Sequence, residues 1–245
     1  NFTLRKTINL NQIQSDILHN IEVIQSRIRH ACEKAGREVS SVRLLLATKT
    51  VDPSRIRIAI ESGHKLIGEN KVQEFASKAD ELSDLDYERH FIGHLQSNKV
   101  KEVLKYAHAI QTVDSLSLVS ELDKRLTELG RKLDIMIQVN TSFEESKFGL
   151  APEDVLAFVK EIINGKTLNI IGLMTIGLFA DTAEEARPSY RLLKTIGEEI
   201  NATYPGEQYI KEYSMGMSGD LEVAIEEGAT MVRVGSAVFG PRIYM

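Results

Sequence analysis

Short apolar runs alternate regularly with helical segments along most of this sequence. Runs such as 44–47 and 135–139 are almost continuously apolar, which is typical of strands covered on both faces. Each run is bounded by Gly, Asn, Asp, Ser or Thr, and the segments between runs are long enough for the crossovers that parallel strands require. The pattern therefore predicts a parallel β/α structure.

Eight strands are predicted, over residues 42–48, 65–68, 90–93, 109–113, 134–140, 169–175, 209–214 and 231–235. The helices between them begin at capping residues or first-turn prolines, which are Asp52-Pro53, Asn70, Ser97, Asp114-Ser115, Ala151-Pro152, Asp181-Thr182 and Ser218. With 245 residues, this pattern favours a single closed (β/α)8 TIM barrel. An open doubly wound sheet is the alternative, but its usual glycine-rich fingerprint is missing from residues 47–50.

A longer amphipathic segment precedes the first strand. Apolar residues recur every three or four positions from Leu10 to Ala31, and Gly36 is a candidate C-cap. We predict a helix over about 10–36, a barrel over about 40–241, and one domain over 1–245. Ten residues follow Gly235, too few for a normal eighth crossover helix, so we expect the first helix to cover that gap.

Composition excludes several classes of function. The net charge is −5 and no basic block is present, which argues against nucleic-acid binding. No apolar stretch reaches the roughly 18 residues of a membrane-spanning helix, and residues 1–20 lack a signal-peptide pattern. The lone cysteine, Cys32, is expected to be packed within a helix. We therefore expect a cytoplasmic protein.

Lys49 is the candidate nucleophile. It stands where the apolar run 42–47 gives way to the turn signal Asp52-Pro53, at the C-terminal mouth of the first strand. Desolvation beside that strand would lower the pKa of the amine and favour attack on an aldehyde. Lys147 is a rival lysine, but its polar loop 144–149 predicts a solvated charge.

Two motifs rich in serine and glycine follow the seventh and eighth strands, where TIM barrels often bind phosphate. Ser214, Gly216 and Ser218 lie in the first motif, and Gly235 and Ser236 in the second. Hydroxyls and unobstructed backbone beside a helix start are suited to an anion. The alternative is that these residues only cap helices and make turns.

Arg233 lies within the last strand, where it must point either outward to a helix acid such as Glu226 or inward to the barrel mouth. An inward arginine suggests a ligand. Pyridoxal 5'-phosphate (PLP) would satisfy all three features, with its aldehyde on Lys49, its phosphate on the two late motifs and its ring nitrogen facing Arg233. Because arginine only donates hydrogen bonds, that nitrogen would stay unprotonated and carbanion chemistry would be damped.

Further residues end other strands near the same mouth. Asn70 and His94 could line it, although Asn70 could equally cap a helix, and Met174 is a candidate pocket wall. His90 and His94 have no obvious third ligand, so no metal site is predicted.

The chain resembles the pyridoxal phosphate homeostasis proteins, the YggS-like group. The resemblance extends from about residue 40 to 241 and rests on six motifs, at 47–50, 68–74, 90–99, 172–174, 214–218 and 232–236. One departure is Lys71, where the family more often has tyrosine. The resemblance implies a barrel similar to the N-terminal domain of alanine racemase and PLP as an imine on Lys49. It also implies Arg233 near the ring nitrogen, and phosphate held around Ser214, Ser218, Gly235 and Ser236.

The resemblance further implies a role without an established reaction. Members act in vitamin B6 supply, are described as cytosolic and largely monomeric, and would have PLP-dependent apoenzymes as recipients. Two alternatives stay open. A PLP-dependent racemase or lyase would need acid/base groups on both faces of the substrate imine, of which Lys49 supplies one. A Schiff-base aldolase on a sugar phosphate would use the same lysine and loops without a cofactor.

Overall fold

Eight parallel strands form a closed barrel in the computed structural model, which describes residues 2–179, 181–205 and 209–241. The strands are β1 (Arg43–Ala47), β2 (Leu66–Glu69), β3 (Glu88–Phe91), β4 (Ala109–Val113), β5 (Leu133–Gln138), β6 (Leu168–Met174), β7 (Glu212–Ser214) and β8 (Met231–Val234). They pair in chain order, and β8 closes the barrel by pairing with β1. The predicted TIM barrel is confirmed, and each predicted strand lies within about three residues of an observed one.

The helices of the described ranges lie outside the barrel. They are α1 (Phe2–Lys34), α2 (Pro53–Glu61), α3 (Val72–Glu81), α4 (Val100–Val103), α5 (Leu116–Leu129), α6 (Val155–Ile162), α7 (Ala183–Thr203), α8 (Leu221–Glu226) and α9 (Ser236–Phe239). Helix α1 precedes the first strand, α9 follows the last, and the others connect successive strands. In the part of the chain described here, no helix combines the length and apolar character needed to cross a membrane.

Helix α1 packs across α2, α8 and α9. It begins at Phe2, earlier than the predicted start near residue 10, and its buried stripe includes Ile17, Ile21 and Ile24. The Asn20 side-chain amide donates to the Val238 carbonyl of α9 at 3.1 Å. The N-terminal helix thus lies beside the four-residue helix that follows β8, as expected from the short segment after Gly235.

The apolar core has two layers. The outer layer, between strands and helices, contains the fully buried Cys32. The inner layer fills the barrel with Leu45, Leu66, Ile92, Met136, Met174 and Met231. Polar side chains share this interior, among them the fully or almost fully buried His90, Gln111 and Ser214. Buried polar groups need hydrogen-bond partners. These three residues bond to one another and, through Ser214, to Arg233 of β8.

Three predicted helix starts are wrong. At Ser97 the cap of the helical turn is Gln96, and α4 follows only at Val100. The N-cap of α3 is Lys71 rather than Asn70, since the Lys71 carbonyl accepts from the Phe75 N–H, and the Asn70 N–H donates to the Glu69 carboxylate at 2.8 Å. The N-cap of α8 is Asp220 rather than Ser218. The predicted caps at Asp52 and Ser115 are confirmed by their side-chain hydrogen bonds. Asn70 and Ser218 therefore lie in loops ahead of their helices.

Candidate functional site

A cavity of about 530 Å³ opens at the C-terminal ends of the strands, within the size range typical of small-molecule sites. The residues that follow β1, β2, β5, β6, β7 and β8 meet there. The lining includes Lys49, Asn70, Lys147, Met174, Ser218, Arg233, Gly235 and Ser236 among the residues considered from sequence, and Arg55, Ile176, Phe179 and Phe239 in addition. Catalytic and binding groups occupy the same end in TIM barrels generally.

Lys49 is half-buried immediately after β1, and hydrogen bonds hold the peptide groups on either side of it. The Thr48 carbonyl accepts from Lys78 Nζ at 2.7 Å, and the Thr50 N–H donates to Glu74 Oε2 at 2.7 Å. Thr50 adopts a φ of 63°, a left-handed conformation that costs about 1–3 kcal/mol for a residue other than glycine. The backbone around the lysine is thus held in a sharp, defined turn.

A cluster of opposite charges supports that turn from behind. Lys78 Nζ donates to Glu69 Oε2 at 2.6 Å and to Glu74 Oε2 at 2.9 Å, and the Glu69 side chain is only 2% exposed. Burial alone would raise the pKa of Glu74, but the Thr50 N–H and Lys78 bring it below its ordinary value. Glu69 and Glu74 belong to a motif of the family resemblance, whereas Lys78 was missed. The spacing of four residues between Glu74 and Lys78 on a predicted helix could have indicated this ion pair.

The Arg233 side chain points into the barrel, and the residue is 6% exposed. Nη1 donates to Ser214 Oγ at 2.8 Å and Nη2 donates to the Thr175 carbonyl at 2.7 Å, both neutral acceptors. Burial lowers the pKa of Arg233, although Tyr190 and Asp220 oppose the shift. Arginine stays charged because its reference pKa exceeds 12. The structure therefore places a desolvated cation at the floor of the cavity.

The outward alternative for Arg233 is wrong, because both of its Nη atoms donate to acceptors inside the barrel. Glu226 has other partners. It pairs with Arg187 at 2.6 Å and with Lys34 of α1 at 2.6 Å.

The two serine and glycine motifs meet at the cavity, but only part of each lines it. Ser218, Gly235 and Ser236 lie on the wall, whereas Ser214 is fully buried beneath Arg233. Gly216 lies behind the wall, where its carbonyl accepts from the Arg233 N–H at 2.9 Å. Ser214 and Gly216 therefore contact Arg233 rather than the open space.

Gly235 lies so close to the backbone at the end of β1 that no side chain fits at this position. A Cβ at this position would lie 2.8 Å from the Ala47 carbonyl oxygen.

The Ser218 loop is tied to its surroundings at three points. Asp220 Oδ1 accepts from the Met217 N–H at 2.6 Å, and Asp220 Oδ2 accepts from the Tyr190 hydroxyl at 2.7 Å. Arg27 of α1 donates to the Ser218 carbonyl at 2.9 Å. The first helix thus helps to position a loop at the opposite end of the chain.

His94 lies on the rim but outside the lining of the cavity. Its ring stacks on Phe148 with centroids 3.7 Å apart, and Nδ1 lies 4.0 Å from Asp114 Oδ2. Burial raises the pKa of Asp114, and His94 partly opposes this. Within the described ranges, no cluster of three or more His, Cys, Asp or Glu side chains is arranged to hold a metal ion.

Lys147 is not the solvated charge that its polar loop predicted. Its side chain is 9% exposed, pairs with Glu144 and donates to the Gly177 carbonyl. Nζ lies 4.3 Å from the centroid of the Phe179 ring. The loop after β5 folds against the loop after β6, a long-range contact with no local sequence signal, and so brings this lysine to the cavity wall.

Arg55 is a further residue that sequence reasoning missed. It lies in the first turn of α2, lines the cavity and donates to the Phe239 carbonyl at the end of α9. Lys49, Arg55, Lys147 and Arg233 together surround the cavity with cationic side chains. Such a lining favours an anionic ligand.

Comparison with known proteins points to a single family. A profile described as "Alanine racemase, N-terminal domain" matches residues 14–242. A pyridoxal phosphate homeostasis protein of Aquifex aeolicus is 42% identical over 221 residues, which cover 90% of this chain and 96% of the relative. The human protein of the same name is 36% identical and covers 91% of this chain and 86% of the relative.

Solved structures give the same family likeness. PipY of Synechococcus elongatus, in a structure with PLP bound, is 33% identical with a TM-score of 0.76, covering 87% of this chain and all of PipY (100%). Alanine racemase of Clostridium difficile is 13% identical with a TM-score of 0.74, covering 93% of this chain and 57% of the racemase. At that identity, the racemase likeness concerns the fold alone.

Proposed function

Because the chain belongs to the alanine racemase N-terminal domain family and, within it, to the pyridoxal phosphate homeostasis proteins, we propose that it binds PLP as an imine on Lys49 and acts in PLP homeostasis. The observation that carries the proposal is the convergence of Lys49, Arg233 and the two serine and glycine loops on one cavity. A relative 33% identical to this chain has a structure with PLP bound.

The cavity fits the three chemical parts of PLP. The aldehyde requires an amine, which Lys49 supplies at one wall. The phosphate requires hydrogen-bond donors and positive charge, which we assign to Ser218, Ser236 and the backbone at Gly235, with Arg55 nearby. The aromatic ring requires apolar walls, and Met174, Ile176 and Phe179 provide them.

Arg233 determines how reactive such a cofactor would be. When bound, PLP supplies an electron sink for carbanions, and a protonated ring nitrogen strengthens that sink. Arg233 keeps its own protons and only donates hydrogen bonds, so facing the ring it would leave the nitrogen unprotonated. This arrangement favours holding PLP over transforming an amino acid, in keeping with relatives named for homeostasis rather than for a reaction.

We propose the finer parts of the function as well. The cavity opens on the rim of the barrel, which supports transfer of PLP to another protein without passage through the core, and we propose PLP-dependent apoenzymes as the recipients. The family resemblance supports the further proposal that the protein acts as a cytoplasmic monomer.

Borohydride reduction followed by digestion and mass spectrometry tests the proposed attachment. The pyridoxyl group is expected on the peptide that contains Lys49. Lys147→Met is the matched control, because it removes the other lysine of the cavity and should leave the modified peptide unchanged. Modification of Lys147 in the unaltered protein, with Lys49 unmodified, would contradict the assignment.

Two further measurements separate this function from its alternatives. A panel of L- and D-amino acids in deuterated solvent should show no Cα exchange at enzymic rates with the PLP-bound protein. Rapid exchange would indicate a racemase or lyase instead. The protein should also gain a visible absorption band on addition of PLP, and a protein that stays colourless would favour a sugar-phosphate aldolase.

A further inference from the structure

A continuous chain of hydrogen bonds crosses the barrel interior from the floor of the cavity to the opposite end of the strands. It links Arg233, Ser214, Gln111, His90 and Glu88, with donor–acceptor distances of 2.8, 2.6, 2.7 and 2.7 Å in that order. The three middle residues are at most 1% exposed. The bonds that join these three residues to one another are therefore shielded from water.

The two ends of the chain decide the direction of every bond within it. Arg233 can only donate, so Ser214 Oγ accepts from Nη1 and directs its own proton to Gln111 Oε1. At the other end, the hydrogen bond from His90, helped by Arg43, lowers the pKa of Glu88 to about 2, although burial opposes the shift. Glu88 is thus an ionised acceptor at neutral pH. His90 therefore donates from Nε2 and accepts the Gln111 amide N–H at Nδ1.

The reverse orientation of the Gln111 amide is unfavourable. With its NH₂ toward Ser214, the serine oxygen would face two donors, Arg233 and the amide, and its own proton would lose its acceptor. The amide nitrogen also lies 3.1 Å from Met231 Sδ, a weak acceptor. In the reversed amide, an oxygen would face this sulfur, and two acceptors would then lie against each other. A buried donor without a hydrogen-bond partner is costly. The hydrogen bonds of the chain therefore favour one direction of donation, from Arg233 to Gln111 at one end and from Gln111 to Glu88 at the other.

Such a chain is unusual for the interior of a barrel. TIM barrels usually fill this space with branched apolar side chains, and much of the interior here is likewise apolar, as at Leu45, Met136 and Met231. Replacing all members of a buried polar network by apolar groups of similar size is often neutral or stabilising. Stability alone therefore gives little reason for the network as a whole.

We propose that Gln111 is a positioning residue for the cofactor site, because it fixes the Ser214 hydroxyl and through it the orientation of the Arg233 guanidinium. His90 and Glu88 in turn fix the orientation of Gln111. The inference deepens the proposed function and rests on PLP lying with its ring against Arg233. Gln111 itself does not line the cavity, so its effect on the cofactor is indirect.

The first test measures the His90 tautomer by ¹⁵N NMR in the protein without PLP, so its result is independent of the cofactor. Nε2 is expected to carry the proton at neutral pH. Gln111→Glu places an acceptor opposite Nδ1 and should convert the ring to the doubly protonated form. A proton on Nδ1 in the unaltered protein would overturn the direction of the chain.

The second test uses the visible spectrum and PLP affinity of the PLP-bound protein. Gln111→Leu removes the Ser214 acceptor and should change the absorption maximum and weaken PLP binding by about tenfold. Gln111→Glu keeps that acceptor and should retain the maximum. The control is Thr112→Val, which removes a neighbouring buried hydroxyl that donates to the Gly93 carbonyl, outside the chain. It should lower stability without changing the spectrum.

A double variant separates positioning from a general structural role. If Gln111 acts through Arg233, then Arg233→Lys should already change the spectrum, and adding Gln111→Leu should change it little further. A Gln111→Leu protein that behaves like Thr112→Val would overturn the proposal. A spectrum unaffected by Arg233→Lys would contradict the placement of the PLP ring against Arg233, and with it the effect of Gln111 on the cofactor. The NMR measurement would still test the direction of the hydrogen-bond chain by itself.

Discussion

Replacement of Lys78 by methionine tests the charge cluster behind Lys49. The substitution keeps the apolar stem of the side chain and removes the ammonium group. Lys78 is 12% exposed and the Glu69 side chain 2% exposed, so the carboxylate would be left buried without a counter-charge. It would keep hydrogen bonds from the Asn70 N–H at 2.8 Å and from Thr48 Oγ1 at 3.2 Å.

The expected loss follows from the burial of the pair. Removing one partner of a buried ion pair costs about 3–5 kcal/mol. The hydrogen bonds that remain to Glu69 and the partial exposure of Glu74, 24%, favour the lower end of that range. We therefore expect the free energy of unfolding to fall by about 3 kcal/mol, equivalent to a decrease in Tm of about 6–12 °C for a chain of this size.

Urea unfolding of Lys78→Met and of the double variant Lys78→Met/Glu69→Gln measures the effect. The double variant removes the unpaired charge and should recover at least about half of the loss. Lys65→Met is the matched control, because Lys65 and Asp86 form an ion pair whose side chains are 55% and 96% exposed. That variant should lose less than about 1 kcal/mol.

Two results would refute this reasoning. The first is a Lys78→Met protein no less stable than Lys65→Met. The second is a double variant as unstable as the single one. PLP titration adds a functional readout, since loosened peptide groups around Lys49 should slow imine formation even where the protein remains folded.

Three further predictions concern other parts of the site. Glu88 has a folded pKa of about 2 against 4.5 unfolded, so its contribution to stability is present above about pH 4.5 and is lost as pH falls through 2. The Glu88 side chain is 40% exposed, so its contribution is small. In Glu88→Gln, the free energy of unfolding in urea should therefore fall on acidification by only about 1 kcal/mol less than in the unaltered protein. Tyr190→Phe removes the hydroxyl bound to Asp220 and should lower stability by about 1–2 kcal/mol and weaken PLP binding in a titration. Gly93→Ala would place a Cβ 1.9 Å from the Asn70 carbonyl oxygen and should cost about 3 kcal/mol or more in thermal unfolding.

Each of these predictions has a clear contrary result. An unchanged acid profile in Glu88→Gln would show that the pair with His90 does not stabilise the fold. An unchanged PLP affinity in Tyr190→Phe would show that the position of the Ser218 loop does not affect phosphate binding. A Gly93→Ala protein of normal stability would show that the backbone at Asn70 can move away at little cost.

The family resemblance could be stated from sequence alone because its motifs follow the ends of predicted strands. Lys49, Ser218, Arg233, Gly235 and Ser236 all reach the cavity. In a parallel barrel, every strand ends at the same face, so residues that follow strands converge whatever their separation along the chain.

The same reasoning failed where side-chain direction depended on distant contacts. Lys147 sits in a polar loop, yet its contacts with Gly177 and Phe179 bury it. Ser214 was expected to meet an anion, but Arg233 and Gln111 hold its hydroxyl in the interior. Neither outcome has a periodicity or a spacing that could reveal it.

The order and type of the strands, and the end of the barrel at which the site forms, could be predicted from residue patterns, because apolar periodicity and turn residues act over a few positions. Which polar groups meet inside the barrel depends instead on the folded molecule. The chain from Arg233 to Glu88 joins residues of β8, β7, β4 and β3, and its two end residues are 145 positions apart in the sequence. Contacts of that kind depend on strand register and closure of the barrel, and these are set by the packing of the whole molecule.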